Sequence, residues 1–278
     1  MSKKPPAAQH LTVRALPHTL LFHDWTEALT LWRMLSAAFP EALALALMPN
    51  HPHVITRDPR GKQKLAGVMS GYARWRGHYR QQDAHAWEVQ PAPVHVEEGD
   101  HLRRTVRYVL LNPCRGKLAS DPVAWPLSNH RDLVGLGSRK ARPDAPAFHA
   151  YVSADPTCNL AGSPLPELHR GKASLAEVEA AASAVLRMTP RELRSSPRAT
   201  RVLVRAAFYC EIDDAKLLAD WAQRGVSQVY RLLTPRRANL DREPLLRAVL
   251  RAVADPRFPA LVSPPRLDLT RWANWQHA

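Results

Sequence analysis

Two histidines, His51 and His53, stand one residue apart just after a proline turn, in the stretch MPNHPHVITR. Side chains alternate along a strand, so both imidazoles project on one side while Pro52 points away. Two imidazoles on one side can converge on a divalent metal ion. Two ligands are too few for a metal site, however, and such a pair is more often the polar face of an ordinary strand. The pair alone leaves both interpretations open.

A second group lies about 50 residues further on, at Tyr108 and Asn112. Residues four apart lie one turn apart on a helix, so a phenol and an amide would share one helix face. The phenol is a possible nucleophile, and the amide oxygen is a possible ligand for a cation. The alternative is that Tyr108 packs partly into the core and Asn112 only caps the helix before Pro113.

Strands and helices must position these side chains, and the hydrophobic pattern predicts which ones. Pro49 and Asn50 form a turn, so that HPHVITR pairs with the preceding ALALALM run as a hairpin. The predicted elements are strands within 11–23, a helix at 25–39, the hairpin at 42–57, a helix at 60–79, a strand at 87–89, a loop at 90–100 and a helix at 98–111 that ends at Pro113. This order predicts an α+β fold with a ferredoxin-like antiparallel sheet and helices on one of its faces.

Three stretches together resemble the HUH-type single-tyrosine transposases, in particular the REP-associated tyrosine transposases of bacteria. They are MPNHPH at 48–53, RYVLLNPCR at 107–115 and WPLSNHR at 125–131, and the resemblance covers roughly residues 11–137. It implies a ferredoxin-like sheet, a Mg²⁺ or Mn²⁺ ion held by His51, His53 and Asn112, and Tyr108 as the nucleophile. The implied reaction cuts single-stranded DNA, at a hairpin or palindrome, and leaves a 5′-phosphotyrosine bond and a free 3′-hydroxyl.

Four arginines flank the tyrosine and are candidates for neutralising DNA phosphates, although a solvated basic helix face is the alternative. They are Arg103, Arg104, Arg107 and Arg115. Pro52 departs from the family pattern, which usually has a bulky hydrophobic residue between the histidines. Proline donates no hydrogen bond to a sheet, so metal affinity is the property that this departure affects.

Two other functions are kept open for this part of the chain. One is a domesticated, non-cleaving binder of structured DNA or RNA, and Pro52 favours that alternative. A replication-initiator or relaxase-type nickase is a third possibility, although such proteins usually carry other motifs around the histidines. The sequence is compatible with both a monomer and a homodimer.

The second half of the chain has the pattern of a helical DNA-binding module. Ser174 and Thr189 each open a capping box, and two short helices follow around Gly225. Arg191-Glu192-Leu193 and Ala199-Thr200-Arg201-Val202 resemble the helix-turn-helix domain of the bacterial replication initiator. That resemblance implies major-groove contacts by Ser227, Gln228 and Arg231 and phosphate contacts by Arg201 and Arg205. The alternative is a helical bundle that only packs against the first domain.

The predicted organisation has five parts: a basic tail at 1–10, the HUH nuclease domain at 11–137, a linker at 138–172, the helix-turn-helix domain at 173–240 and a tail at 241–278. Lys and Arg number 39 against 25 Asp and Glu, a formal charge of +14, which favours a nucleic-acid partner. No apolar run predicts a membrane span, and three widely spaced cysteines argue against a disulfide framework. We therefore expect a cytoplasmic protein associated with the bacterial nucleoid, with single-stranded or hairpin DNA and duplex DNA as partners.

Overall fold

The computed structural model describes residues 8–81, 87–137, 141–156, 158, 164–233 and 240–262. Within these ranges the chain forms two compact units, which divide between His130 and Arg131. The first unit combines a sheet with helices and the second is helical, so the predicted α+β class is confirmed. No helix in the described ranges has both the length and the apolar character needed to cross a bilayer.

Among the described residues, the first unit is built around a four-stranded antiparallel sheet. Its strands lie in the order β2, β3, β1, β4, so that β3 and β1 are central. The elements are β1 (Ala8–Thr12), α1 (Trp25–Ala38), β2 (Ala44–Leu47), β3 (Pro52–Thr56), α2 (Gly61–Arg80), β4 (Val94–Val96) and α3 (Asp100–Arg115). This is the ferredoxin-like βαββαβ order, followed by one more helix.

The two faces of the sheet are covered by different helices. The register between β1 and β3 puts Leu11 and His53 on opposite faces. Leu11 contacts the start of α2, where a Cβ on Gly61 would lie 2.8 Å from the Leu11 side chain, and α1 packs against α2. His53 faces α3, with its ring centroid 6.0 Å from that of Tyr108. The prediction of helices on one face only is therefore wrong, because α3 covers the other face.

Small residues of β2 explain the position of α3. Ala46 lies opposite His53 and Ala44 lies opposite Ile55, so both alanines share the face of His53. Alanine side chains let a helix approach closely, and α3 packs mainly on β2. The alternating ALAL pattern predicts a buried strand, but it does not indicate which helix covers which face.

A later segment covers the outer edge of β2. The Leu47 N–H donates to the Leu127 carbonyl at 2.8 Å, and the Asn129 N–H donates to the Leu45 carbonyl at 2.9 Å. The Trp125 indole N–H donates to the Leu47 carbonyl at 3.0 Å. Without these bonds, β2 would present a row of unpaired backbone groups to other chains.

Two strands lie where the sequence predicts other structure. β1 includes Ala8–His10, at the end of the predicted basic tail, of which residues 1–7 lie outside the described ranges. β4 falls inside the predicted loop at 90–100, while Trp87 forms an isolated bridge with Ala15. Both strands are short and pair with each other, so neither carries the long alternation on which sequence patterns depend.

α3 passes through Pro113, which was predicted to end it. Proline has no N–H, so the helix loses one hydrogen bond to the carbonyl four residues earlier. That loss falls in the last turn, and the Gly116 N–H still donates to the Asn112 carbonyl at 2.8 Å. Asn112 therefore lies inside the helix rather than at its cap, one turn after Tyr108.

The chain from His130 onward is helical in the described ranges. Both predicted capping boxes are present, at Ser174 with Glu177 and at Thr189 with Glu192. The elements are α4 (His130–Leu133), α5 (Ala145–Ser153), α6 (Leu175–Leu186), α7 (Pro190–Ser195), α8 (Pro197–Tyr209), α9 (Ala215–Ala222), α10 (Val226–Leu233), a 3₁₀ turn (Leu240–Arg242) and α11 (Pro244–Ala252).

The second unit includes parts of the predicted linker and tail. α5 lies inside the segment 138–172, and α11 lies inside the segment 241–278 and packs against α6 and α8. Arg187, just after α6, forms a buried ion pair with Asp132 at 2.8 Å. The compact unit thus begins at Arg131 rather than at residue 173, because α11 and the residues after Arg131 supply the apolar and ionic contacts that α6 and α8 need.

Candidate functional site

Three histidines meet on the face of the sheet that α3 covers. His53 lies on β3, His51 lies in the turn before it, and His10 lies on β1. The ring centroids of His51 and His53 are 4.3 Å apart, and those of His10 and His53 are 5.1 Å apart. All three side chains are at least partly buried, and His51 and His53 are only 2% and 4% exposed. The predicted convergence of His51 and His53 is therefore present, with His10 as a third member.

Hydrogen bonds at Nδ1 orient the two predicted ligand histidines. The Nδ1 N–H of His51 donates to the amide oxygen of Asn50 at 2.7 Å, which leaves the lone pair of a neutral His51 on Nε2. Nδ1 of His53 shares a 2.9 Å hydrogen bond with Nε2 of His10. If His53 donates in that bond, its lone pair also lies on Nε2. A partner that fixes the ring and tautomer of a metal-binding histidine is the usual support of such sites.

The environment keeps these imidazoles neutral at neutral pH. Burial, followed by the charges of Arg14 and His10, lowers the pKa of His51 to about 3. Burial, followed by His51, His10 and Arg14, lowers the pKa of His53 well below its ordinary value. Burial also lowers the pKa of His10. A neutral imidazole is the form that binds a metal ion, so protons compete weakly for these nitrogens.

Tyr108 lies beside the histidines, on the face of α3 that packs on the sheet. Its ring meets that of His53 edge to face, at an interplanar angle of 87°. The guanidinium carbon of Arg115 lies 5.4 Å from the centre of the Tyr108 ring. The tyrosine is half-buried, so part of its ring packs against the sheet and part remains accessible to solvent.

Several buried polar atoms on this face have no hydrogen-bond partner among the residues that the structure describes. Nε2 of His53 is one, and both amide atoms of Asn112, which is 2% exposed, are others. Thr12 lies directly opposite His53 on β1, and its hydroxyl oxygen is also buried without a partner. An unbonded buried polar group lowers the stability of the fold by on the order of 1–3 kcal/mol. Several such groups together therefore indicate a functional role, such as ligand binding.

Asn129 shows what a structural asparagine looks like in the same unit. Its amide oxygen accepts from the Leu45 N–H at 2.8 Å, and its amide nitrogen donates to the Ala42 carbonyl at 3.1 Å. Asn129 is as buried as Asn112, with 1% exposure. The comparison separates a side chain that holds the fold together from one whose polar atoms are available to a ligand.

The donor set can be compared with what a divalent cation needs. Among the described residues, no three His, Cys, Asp or Glu side chains cluster in a way that would hold a metal. His10 is not an extra ligand in this arrangement, because its Nε2 is bonded to His53. A third ligand would have to be an amide, and Asn112 has unbonded amide atoms one turn from Tyr108. Imidazole nitrogens suit transition-metal ions and an amide oxygen suits Mg²⁺ and Mn²⁺, so this mixed donor set fits Mn²⁺ better than Mg²⁺.

The four predicted arginines lie along α3 in different environments. Arg103 and Arg104 are exposed, whereas Arg107 and Arg115 are half-buried. Arg103 lies 3.7 Å from Asp100, but both side chains are largely exposed, so this pair is weak. Arg115 is the member that the structure brings into contact with the tyrosine ring.

The predicted DNA-contacting residues of the second unit are only partly accessible. Ser227, Gln228 and Arg231 are exposed on α10, and Arg201 is exposed on α8. Arg205 instead forms an ion pair with Glu243 at 2.5 Å, with only 13% of its side chain exposed. We therefore withdraw Arg205 as a phosphate contact, since its charge is balanced inside the unit.

Two helix positions in this unit also differ from the apolar pattern. Leu217 of α9 and Val226 of α10 are 45% and 41% exposed, although the spacing predicts that both are packed. The predicted turn at Gly225 separates these helices, and Gln223, the residue after α9, adopts a positive φ of 52°. Short helices expose more of their end turns than a periodic pattern implies.

His10 and Thr12 are members of the site that sequence reasoning missed. Both lie about 40 residues before the two histidines of the MPNHPH motif. They belong to β1, the first residues of which were predicted to be part of the basic tail. Their signal is the alternation of His10 with Thr12, which puts both on one face of β1. Only the register with β3 shows that this is the face of His53.

The chain was compared with known proteins. No protein-family model matches it, and no curated protein matches it. One similar solved structure is a REP-associated tyrosine transposase bound to a REP hairpin. It shares 18% sequence identity, covers 48% of this chain and 86% of its own, and superposes with a TM-score of 0.36.

Proposed function

We propose that the first unit is a metal-dependent nuclease that nicks and rejoins single-stranded DNA, as a transposase does, at hairpin or palindromic sites. The observation that carries this proposal is the group of buried, unpartnered polar atoms on His53 and Asn112 beside the half-buried Tyr108. A cation would satisfy the imidazole nitrogen of His53 and the amide oxygen of Asn112. The formal charge of +14 supports a DNA substrate.

The proposed reaction exchanges one phosphoester bond for another. The Tyr108 hydroxyl oxygen attacks a backbone phosphorus and gives up its proton to solvent, while the bond from phosphorus to the 3′ oxygen breaks. The 3′ oxygen takes up a proton, which leaves a 5′-phosphotyrosine and a free 3′-hydroxyl. A 3′-hydroxyl that attacks the phosphotyrosine reverses these steps and rejoins the DNA, so no outside energy source is required.

Each residue of the site has its own role in the proposed reaction. His51, His53 and Asn112 would hold Mg²⁺ or Mn²⁺, which withdraws charge from the scissile phosphate when bound. Arg115, over the Tyr108 ring, and Arg107 supply positive charge for the phosphates on either side. His10 holds the ring of His53, and α3 sets Tyr108 and Asn112 one turn apart.

Pro52 is compatible with this arrangement. It is the first residue of β3, and the pairing with β1 begins only at His53. Pro52 lies opposite Leu47 of β2, and the first position of a strand is one that tolerates proline. With Pro52 between them, the rings of His51 and His53 are still adjacent.

For the second unit we propose binding to duplex DNA through α9 and α10. Ser227, Gln228 and Arg231 would meet base edges, and Arg201 would meet a phosphate. The exposure of all four side chains supports this proposal. In this organisation the first unit acts on the single strand and the second unit holds the protein near its site.

A covalent-adduct assay tests the proposed function. The protein is incubated with a single-stranded hairpin DNA labelled on the 3′ side of the expected nick, with Mg²⁺ or Mn²⁺, and is then resolved under denaturing conditions. We expect a labelled protein–DNA adduct that EDTA prevents, and an unlabelled fragment that ends in a 3′-hydroxyl. Hairpin binding without an adduct in either metal would instead establish a non-cleaving binder. Adducts on plasmid DNA but never on the hairpin would point to an initiator-type or relaxase-type nickase.

Replacing Asn112 should stabilise the fold and weaken metal binding. We expect Asn112→Leu to raise the free energy of unfolding by about 1–2 kcal/mol, because it removes unbonded amide atoms from the interior. Mn²⁺ affinity should fall by more than about tenfold, since even outer partners of a metal site contribute 10–100-fold. Denaturant unfolding and electron paramagnetic resonance of free Mn²⁺ measure the two effects.

Asn129→Leu is the matched control for that variant. It leaves the Leu45 N–H and the Ala42 carbonyl without partners, so we expect a loss of about 2–4 kcal/mol. If Asn112→Leu lost stability to the same extent, the Asn112 amide would be bonded in solution, and the proposed ligand set would be incorrect.

His10 should act as a positioning residue for His53. We expect His10→Leu to weaken Mn²⁺ binding by about 10–100-fold, because nothing then fixes the proton of His53 on Nδ1. His10→Gln offers an amide oxygen to that N–H and should recover most of the affinity. Isothermal titration with Mn²⁺ measures both, and His95→Leu, an exposed change on β4, is the control. Equal affinities for His10→Leu and the wild type would exclude the role.

A further inference from the structure

α2 carries three aromatic rings that form a continuous stack from the core to the surface. Tyr72, at 0% exposure, stacks on Trp75 with centroids 5.7 Å apart and planes 20° apart. Trp75 stacks on Tyr79 at 5.0 Å and 10°. Tyr79 is 47% exposed, so the outermost ring of this aromatic stack faces solvent. Its hydroxyl lies 3.5 Å from the Asp24 carboxylate, which fixes the ring by its edge.

The helix that carries the aromatic stack has Lys and Arg residues near both of its ends. No Asp or Glu occurs among its 20 residues. Arg76 and Arg80 are balanced by the buried Glu27, and Lys64 pairs with Asp58. Arg74 is exposed and has no ion-pair partner among the described residues, and it lies one residue before Trp75. A positive charge thus accompanies the exposed rings.

Two glycines lie beside the aromatic stack. The packing of the described residues does not explain why these two positions are glycine. Glycine is the least favourable residue in a helix interior after proline, yet Gly67 and Gly71 both lie inside α2. A Cβ on Gly67 would meet nothing within 4 Å, and one on Gly71 would meet only the tip of Arg74, at 3.9 Å. Gly71 and Trp75 are four residues apart, so the open strip adjoins the rings. Glycine on an open face allows close approach of another molecule's backbone.

From these three features we infer that α2 is a binding surface for unpaired nucleotides of single-stranded DNA. One base stacks on the outer face of Tyr79, the sugar–phosphate backbone crosses Gly71 and Gly67, and Arg74 meets a phosphate. Flat rings interleaved with positive charge are the general means by which proteins hold single strands without reading their sequence. The surface is separate from the Tyr108 site, because α2 and α3 cover opposite faces of the sheet.

The inference shares with the proposed function only the premise that the chain binds DNA, so it is tested without cleavage. Binding of fluorescent oligo(dT) to the full-length protein is measured by anisotropy in EDTA. We expect Tyr79→Ala to weaken binding by about 5–100-fold, the contribution of one stacked base, and Tyr79→Phe to bind like the wild type. Affinity for a blunt duplex should be unchanged, because paired bases cannot stack on the ring. Val89→Ala, which shortens an exposed apolar side chain outside the proposed DNA-binding surfaces, is the control for oligo(dT).

Gly71→Ala is a second test, and it separates DNA binding at α2 from a purely structural role of the glycine. Alanine favours the helix, so the Tm should rise by about 2–4 °C, while oligo(dT) affinity should fall because the new methyl group blocks the backbone. Unchanged oligo(dT) affinity in both Tyr79→Ala and Gly71→Ala would overturn the inference even if the Tyr108 adduct forms. Conversely, weaker binding in both variants, without any adduct, would uphold it while the proposed nuclease function fails.

Discussion

Tyr108→Phe should abolish the covalent protein–DNA adduct and leave hairpin affinity intact. The substitution removes one oxygen atom, which is the atom proposed to bond to phosphorus, and it keeps the ring that packs against His53 and Arg115. Loss of a nucleophile typically lowers turnover by many orders of magnitude, so we expect a decrease of at least about 10⁴-fold, below detection on a denaturing gel. Anisotropy with the same hairpin measures the retained binding.

A second tyrosine substitution makes this result specific. Tyr230→Phe removes a hydroxyl from an exposed ring of α10, and its adduct yield should equal that of the wild type. Adduct formation by Tyr108→Phe at the wild-type rate would assign the nucleophile to another residue and refute the proposed reaction. Loss of hairpin binding together with the adduct would instead show that the phenol serves recognition.

Glu27→Ala should cause the largest loss of stability in the first unit. The Glu27 carboxylate, at 0% exposure, accepts from the His23 N–H at 2.7 Å and from Arg80 at 2.8 Å, and it also pairs with Arg76. These bonds join α1 to α2. Removing one partner of a buried ion pair costs about 3–5 kcal/mol, because the remaining charge is left uncompensated. Urea unfolding measures the change.

The surface pair of Arg57 and Glu98 provides the comparison. Its atoms are 2.7 Å apart, but 29% and 40% of the two side chains are exposed, so Glu98→Ala should cost less than about 1 kcal/mol. Similar losses in Glu98→Ala and Glu27→Ala would mean that the cluster around Glu27 is open to water.

The stabilisation by Glu27 should also depend on pH. Burial alone would raise the pKa of Glu27, but the bonds from Arg80 and His23 and the charge of Arg76 hold it below its ordinary value. A depressed carboxylate pKa stabilises the fold fully above the unfolded-state pKa of about 4.3, and this contribution is lost as the pH falls towards the folded-state pKa. The stability difference between the wild type and Glu27→Gln should therefore be constant near pH 7 and shrink below about pH 4.

The sequence predicts the central part of the site because its spacings are local. Strand alternation brings His51 and His53 to one side, and helical periodicity brings Asn112 to the side of Tyr108. His10 escapes such reasoning, since its role depends on the register between two strands and it lies 43 residues from His53. β4 escapes it as well, because three residues carry too little pattern to be separated from a loop.

At Pro113 and Arg205 the local sequence pattern predicts the wrong outcome. Pro113 is a strong helix breaker in sequence, yet in the last turn of α3 it removes only one hydrogen bond, so the helix reaches Arg115. Arg205 has the position of a phosphate contact on α8, but Glu243, 38 residues later, balances its charge. Both outcomes depend on contacts that a single window of residues does not contain.

The segment that covers the edge of β2 is synthesised well after β2 itself. Leu47 and Trp125, which this segment joins, are 78 residues apart. At about 5–20 residues per second, a ribosome needs about 4–16 s to add that length. During this interval the β2–β3 hairpin can form while its outer edge lacks a partner, and exposed edges recruit other strands. The nascent chain is therefore most prone to aggregate after the hairpin has emerged and before residues 125–129 leave the ribosome.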